Sequence, residues 1–222
     1  MDTLLRRRSM MVGGGSPLPY TPVEYIQTDG NAYINTGIYG NDGRSVELKF
    51  LPTQATYHVV IGAGNSEGSG MFIMLFISGS GLAGFAHYYG YTTGAPSVVN
   101  SITNETPFVA KSAMKKGSQS ISVKQDGESS FTTLSKTQNT GISTNKQMYL
   151  FATNVNDTAQ AKCLNGERIY YCKIYSDSNY TNLAFDGIPC VYNGEYGLWD
   201  NVSDSFFGNA AASGAFSGPS NS

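Results

Sequence analysis

Short segments in which every second residue is apolar constrain the fold of this chain more than any other feature. Ser45–Phe50 alternates strictly, and Ser120–Lys124 repeats the pattern. A period of two is typical of a β-strand with one buried face. No window long enough for an amphipathic helix keeps a helical period, so the chain is predicted to consist mainly of β-strands.

Further strands are predicted where β-branched and aromatic residues lie between Gly, Asn and Ser turns. These segments are Tyr57–Ile61, Met71–Ile77, Leu82–Tyr88, Gln147–Ala152, Glu167–Tyr175, Ile188–Tyr192 and Tyr196–Trp199. Asp126-Gly127 and Asn193-Gly194 predict hairpin turns, because these dipeptides accept the positive φ that tight hairpins need. About ten to fourteen short strands spaced in this way favour an all-β sandwich of two antiparallel sheets over a closed barrel.

The composition excludes several other classes of protein. Charged residues make up 14% and aromatic residues 12% of the 222 residues. A coiled coil needs more Ala, Glu, Lys and Leu, and a disordered chain carries more charge and fewer rings. Residues 9–222 hold 11 basic and 15 acidic residues. We therefore expect no nucleic-acid partner, because binding to nucleic acid is driven by neutralisation of phosphates.

The three cysteines, Cys163, Cys172 and Cys190, contain no C-x-x-C pair. Neither a disulfide framework nor a zinc knuckle is therefore indicated. We expect buried free thiols in strands, with a Cys163–Cys172 disulfide as the alternative.

Residues 1–19 are predicted to be an N-terminal arm followed by a linker. The segment Gly13–Pro17 is flexible in its glycines and stiffer at its proline. The arm is either a disordered tail or an anchor that docks onto a partner, and the candidate docking residues are Leu4, Leu5, Arg6, Arg7, Arg8, Met10 and Met11. Residues 20–218 then form the body of the chain, and residues 219–222 form a short tail.

No membrane partner is expected. The arginines of the arm are not followed by the apolar stretch that a signal peptide requires, so synthesis is expected to end in a cytoplasm. The longest apolar run, Met71–Ile77, is far shorter than the roughly 18 residues of a membrane-spanning helix.

Several short sequence motifs, in their order along the chain, resemble those of a known family. Val23–Gly30 and Ala32–Ile38 resemble the "VEYIESTGTQYIDTGI" opening of LamG-like domains in phage and prophage proteins. Arg168–Tyr175 resembles the family's "KIYSCKIYD" segment. Ile188–Cys190 and Gly197–Asp200 resemble its "DFIPC…GLYD" close, with Trp in place of the common Tyr. The resemblance covers residues 20–218.

This resemblance implies a concanavalin A-like jelly-roll β-sandwich, with the arm extending from it. It also implies a non-enzymatic structural protein on the bacteriophage virion surface, made in the bacterial host cytoplasm, as a fibre, decoration or adhesion module. We then expect other virion proteins as partners of the arm and a homo-oligomer, with a trimer as one option. The alternative is a freely acting carbohydrate-binding or glycoside-hydrolase-like module.

Catalytic and metal-binding arrangements are not indicated. The carboxylates lack the E-x-D-x-x-E spacing with which hydrolases of this fold place two acids in one cleft. Asp200 and Asp204 lie around a turn, where capping of backbone N–H groups is the expected role. His58 begins an apolar strand and is expected to pack there, and no carboxylate pair near a histidine predicts zinc. Asn41-Asp42 and Asp200-Asn201 offer oxygen donors, but neither stretch has the density of ligands that the six- to eight-fold coordination of calcium requires. We expect no enzyme activity, no cofactor and no metal.

A cluster of rings between Phe85 and Gly94 is the candidate carbohydrate-binding face. Sugars place their apolar faces on exposed rings, and the residues that we expect to do this are His87, Tyr88, Tyr89 and Tyr91. The alternative is that these rings complete the sandwich layers or line a subunit contact. Trp199 is expected to pack in the core.

Overall fold

The structure is a computed structural model, and it describes residues 18–66, 69–78, 83–88, 97–99, 102–137, 141 and 143–219. Within these residues every regular element is a β-strand. The strands are β1 (Thr21–Pro22), β2 (Ile26–Thr28), β3 (Ile34–Asn41), β4 (Arg44–Leu51), β5 (His58–Ser66), β6 (Ser69–Ile77), β7 (Ala83–Tyr88), β8 (Ser97–Val99), β9 (Phe108–Lys115), β10 (Ser118–Gln125), β11 (Thr132–Lys136), β12 (Ser143–Leu150), β13 (Ala152–Val155), β14 (Thr158–Gln160), β15 (Arg168–Tyr175), β16 (Leu183–Tyr192), β17 (Glu195–Asp200), β18 (Ser205–Phe207) and β19 (Phe216–Ser217).

These strands form two sheets, which confirms the predicted sandwich. The larger sheet has the order β11-β10-β9-β4-β15-β16-β17-β18, with β1, β2 and β19 paired to its members. The smaller sheet has the order β14-β13-β5-β6-β7-β8, and β12 joins β3 to β5. Neighbours pair antiparallel, except that β13 runs parallel to β5. The structure thus has an all-β, two-sheet jelly-roll architecture.

The core lies between the two sheets and is one continuous apolar cluster. Leu48, Phe50 and Phe108 enter it from the larger sheet, and Ile61 and Phe72 enter it from the smaller one; all five are fully buried. Burial of each such side chain contributes about 1.5–3 kcal/mol. The alternation of apolar and polar residues in β4 therefore arises because one face of this strand is buried between the two sheets.

The central strands of the smaller sheet are buried on both faces. All of residues 58–64 and 72–77 are buried, and a second cluster of Val59, Ile73, Phe76 and Val155 covers the face away from the main core. A strand buried on both faces needs apolar residues at consecutive positions. This explains why Met71–Ile77 is a continuous apolar run.

The Asn193-Gly194 turn is the predicted tight hairpin. Both residues have positive φ, 50° and 84°, and Tyr192 pairs with Glu195 across the turn, as in a type I′ turn. At Asp126-Gly127 the prediction holds only in part. Gly127 has a φ of 93°, but β11 begins five residues later, so this connection is longer than a two-residue hairpin.

The predicted strand Gln147–Ala152 is wrong as a single element. Phe151 has a φ of 65°, and it ends β12 and separates it from β13. Its N–H donates to the Val60 carbonyl at 2.8 Å, and its own carbonyl accepts the Cys163 N–H at 2.8 Å. Such a φ is unusual for a bulky residue, and the fully buried ring, which packs on Phe216, compensates for it.

The number of strands differs from the prediction. The described residues contain nineteen strands, more than predicted, because six pairings of two or three residues carry too little sequence to be recognised. β3, β9 and β11 were also not among the predicted strands. All three cysteines are free and buried, which confirms this part of the prediction over the Cys163–Cys172 disulfide. Cys172 and Cys190 lie in strands as expected, but Cys163 lies in the loop before β15. No helix among the described residues is long and apolar enough to cross a membrane.

Candidate functional site

The predicted carbohydrate-binding residues lie on β7 and directly after it. The backbone of β7 pairs His87 with Phe72 and Tyr88 with Met71 of β6, in the smaller sheet. Tyr89 and Tyr91 lie outside the described residues, so the proximity of the four side chains stays a prediction. The candidate anchor residues Leu4, Leu5, Arg6, Arg7, Arg8, Met10 and Met11 also lie outside the described residues.

The larger sheet carries a different group of rings on its outer face, which we call the aromatic patch. It consists of Tyr25, which precedes β2, Arg168 and Tyr170 of β15, and Lys49 of β4. All four side chains are partly exposed. The rings of Tyr25 and Tyr170 meet edge to face with centroids 5.7 Å apart.

Cations order the aromatic patch. The Arg168 guanidinium lies 4.3 Å from the centre of the Tyr25 ring, and its Nε donates to Oε1 of Gln27 at 2.9 Å. Lys49 Nζ lies 4.9 Å from the centre of the Tyr170 ring and forms a salt bridge with Asp126 Oδ2 at 2.7 Å. Because each of the four side chains has two such partners, less conformational entropy remains to be lost when a ligand binds.

A β-bulge in β15 places two adjacent tyrosines on this outer face. The register between β15 and β4 shifts between Ile169 and Tyr171. Tyr170 therefore reaches Lys49, while Tyr171 donates its hydroxyl hydrogen to Glu47 Oε1 at 3.2 Å. Burial raises the pKa of Tyr170, and Arg168 opposes this shift. The ring is thus neutral at physiological pH, with a hydroxyl that can both donate and accept.

Three buried side chains with different donor atoms form a second group, which we call the polar cluster. His58 begins β5, while Cys163 and Glu167 belong to the segment that leads into β15. One donor atom from each lies within 4.8 Å of the others. The His58 and Glu167 side chains are 0% exposed, with Nε2 and Oε1 3.2 Å apart, and Cys163 is 2% exposed.

Backbone N–H groups hold the Glu167 carboxyl group in place. Oε1 accepts the N–H of Thr53 at 3.2 Å, and Oε2 accepts that of Leu164 at 2.9 Å. Cys163 directs its Sγ to the Val59 carbonyl oxygen at 3.5 Å. The polar cluster therefore joins the turn before β5 to the loop before β15.

Burial sets the protonation states of the polar cluster. Desolvation lowers the pKa of His58 to about 4, against an opposing backbone contact with Thr56. It raises the pKa of Glu167 to about 7, although hydrogen bonds from Leu164, Thr53 and Cys163 oppose it. Burial also raises the pKa of the Cys163 thiol, and nearby Glu167 adds to this shift. His58 is therefore a neutral imidazole at neutral pH, with an available lone pair.

The polar cluster was not predicted from the sequence. His58 was expected to pack in a strand, and its ring centre does lie 6.4 Å from that of Phe50. The carboxyl group beside it belongs to Glu167, which follows more than a hundred residues later in the sequence. A charged residue directly before the apolar strand β15 was the available signal, since buried Glu is rare without a partner.

Asp200 has the capping role that the sequence predicts. Its side chain is 2% exposed, and Oδ1 accepts the N–H groups of Asp186 at 2.7 Å and Val202 at 3.1 Å. Oδ2 accepts the N–H and the hydroxyl of Ser203 at 3.0 and 2.6 Å. Trp199 is 7% exposed and stacks on Tyr20 at 4.9 Å, which confirms its predicted packing role.

Comparisons with known proteins define the fold. No family model matches the chain, and no curated protein matches it. Domains LG4-5 of the mouse laminin α1 chain align with a TM-score of 0.52 and 15% identity, over 69% of this chain and 41% of that one. This likeness, together with the two antiparallel-rich sheets, shows a concanavalin A-like, lectin-type β-sandwich.

Two other solved structures align less closely. Full-length tailspike protein 2 from an Escherichia coli O157:H7 bacteriophage gives a TM-score of 0.48 and 11% identity, over 75% of this chain and 27% of that one. The CBM40 of the Ruminococcus gnavus IT-sialidase, bound to α2,3-sialyllactose, gives 0.46 and 14%, over 63% and 78%. The chain thus spans less than half the length of the laminin and tailspike chains.

Proposed function

We propose that this chain is a non-enzymatic, carbohydrate-binding display module of a bacteriophage virion, anchored by residues 1–19. The lectin-type sandwich supports the binding part of this proposal, because such folds present ligand sites on a rigid scaffold. The LamG-like sequence motifs support the assignment to a virion. The chain acts as a fibre, decoration or adhesion domain in several copies, with other virion proteins as partners of its arm.

The single observation that carries carbohydrate binding is the aromatic patch. Tyr25 and Tyr170 offer partly exposed rings for the C–H faces of a sugar. Arg168 and Lys49 flank them with hydrogen-bond donors that orient hydroxyl or carboxylate groups. Rings combined with a few placed polar groups are the usual composition of a small-ligand site. The ring cluster after β7 remains a second candidate for the same role.

Glycan-array binding by the full chain tests this proposal. We expect Tyr170→Ala to weaken binding about tenfold, which corresponds to about 1.4 kcal/mol and is the scale of one aromatic contact. Tyr39→Ala is the matched control, because Tyr39 is 47% exposed and lies on β3 of the other sheet. Loss with Tyr89→Ala or Tyr91→Ala instead would move the site to the predicted face. If the chain binds no glycan on a broad array, carbohydrate binding is refuted.

Incorporation into particles tests the anchor. Deletion of residues 2–15 is expected to abolish assembly of the chain into virions while leaving the folded sandwich intact. Mass spectrometry of purified particles measures presence and copy number, and the mass of the free protein in solution measures its oligomeric state. Undiminished incorporation of the deletion variant would refute the anchoring role of the arm.

A further inference from the structure

The polar cluster has the donor set and spacing of a metal site. Its donor atoms are an imidazole nitrogen, a thiol sulfur and a carboxylate oxygen, all within 4.8 Å of one another. Two nitrogen or oxygen ligands at about 2.0–2.2 Å from one tetrahedral zinc ion lie about 3.3–3.5 Å apart. The 3.2 Å between His58 Nε2 and Glu167 Oε1 is close to this value.

His58 gives the independent observation that a ligand belongs here. Its ring is fully buried, and within the described part of the chain neither nitrogen makes a hydrogen bond of acceptable geometry; the contact with the Thr56 backbone does not meet that geometry. Buried polar groups nearly always have a partner. Although Nε2 approaches Oε1, the contact is not aligned as a hydrogen bond, so the two atoms stand side by side as two ligands of one ion would.

The chemistry of the donors selects the metal. One thiolate and one carboxylate neutralise a divalent cation, which removes most of the cost of placing that charge in an apolar interior. Calcium and magnesium prefer oxygen alone, whereas zinc accepts nitrogen, sulfur and oxygen together. The Val59 carbonyl oxygen accepts the Cys163 thiol hydrogen at 3.5 Å, and it would be a further oxygen near the ion once that thiol is deprotonated.

The hydrogen bonds to Glu167 hold its carboxyl group in one orientation, as the outer partners of a metal ligand do. The N–H groups of Thr53 and Leu164 hold its two carboxylate oxygens, and each oxygen keeps a further lone pair for a metal. Such outer partners orient metal ligands and increase their affinity. We propose that His58, Cys163 and Glu167 bind a structural zinc ion that ties the start of β5 to the loop before β15.

Zinc content measured on the purified full chain is the direct test. Because the donors are shielded from solvent, the ion enters as the chain folds, so the protein is expressed in zinc-supplemented medium or refolded with zinc. We expect one zinc ion per chain. Refolding with zinc rather than with EDTA is expected to raise Tm by roughly 8–16 °C when zinc exceeds its Kd about a thousandfold.

Matched cysteine variants locate the ion. Cys163→Ala is expected to lose the zinc, whereas Cys172→Ala, which removes an equally buried free thiol elsewhere, is expected to keep it. If Cys163→Ala does not fold, cobalt replaces zinc in the Cys172→Ala variant, where thiolate-to-cobalt absorption is expected. Absence of zinc from the wild-type chain, equal zinc in Cys163→Ala, or a cobalt spectrum without thiolate absorption would each overturn the proposal.

Discussion

Glu167 is the residue whose replacement most directly tests the architecture around the polar cluster. Its carboxylate accepts two backbone N–H groups, from Thr53 and Leu164, and its side chain is 0% exposed. Burial raises the pKa of Glu167 to about 7, so its carboxyl group is only partly ionised at neutral pH. Each ordinary hydrogen bond contributes about 0.5–1.5 kcal/mol, and the one methylene that is lost contributes about 0.8 kcal/mol. Glu167→Ala loses both hydrogen bonds and this methylene, and it is expected to destabilise the protein by about 3 kcal/mol.

Glu167→Gln separates the hydrogen bonds from the packing. The amide keeps the volume and one acceptor oxygen, but its NH2 group must face a backbone donor. We expect a loss of about 2 kcal/mol, which lowers Tm by about 4–8 °C in a chain of this size. Urea and thermal unfolding in EDTA measure the loss without a contribution from bound metal.

The exposed Glu195 supplies the control for Glu167. It belongs to the Asn193-Gly194 hairpin and is exposed, so Glu195→Gln is expected to change stability by less than about 0.5 kcal/mol. If Glu167→Gln is equally neutral, the carboxylate does not hold the two loops together and the reasoning fails.

Three further changes are expected to have distinct outcomes. Gly197→Ala places a Cβ 2.5 Å from the Phe207 carbonyl oxygen, so overpacking should lower the free energy of unfolding in urea by about 1–3 kcal/mol. Gly194→Ala is the comparison, because its Cβ meets open space and the variant adds only backbone strain at a φ of 84°. This second variant should lose less stability. Asp200→Ala removes four accepted hydrogen bonds and should cost about 2–4 kcal/mol, and a loss below about 1 kcal/mol would contradict its capping role. Backbone N–H groups, chiefly that of Asn31, lower the pKa of Asp29 in the folded protein, and burial opposes this shift. The stabilising contribution of Asp29 is therefore present above the unfolded pKa near 3.9, and it is lost as pH falls through the folded value. The difference in unfolding free energy between wild type and Asp29→Asn should thus shrink on acidification. A difference that stays constant with pH would refute this role of Asp29.

The sequence by itself determined most of the longer strands, because their signals are local. The alternation of Ser45–Phe50 reports which face is buried, and this depends only on the geometry of an extended chain. The Asn193-Gly194 turn is similarly local, since positive φ is a property of its two residues. These signals suffice for an all-β sandwich and for the capping role of Asp200.

Only the tertiary structure decided the candidate sites. His58 and Glu167 meet because the turn before β5 packs against the loop before β15, and no local pattern encodes a contact between segments so distant in sequence. The break at Phe151 arises where the chain leaves antiparallel pairing in β12 for parallel pairing with β5, so partner strands override the local strand preference. The bulge in β15 likewise places Tyr170 beside Tyr25, which residue alternation alone does not predict.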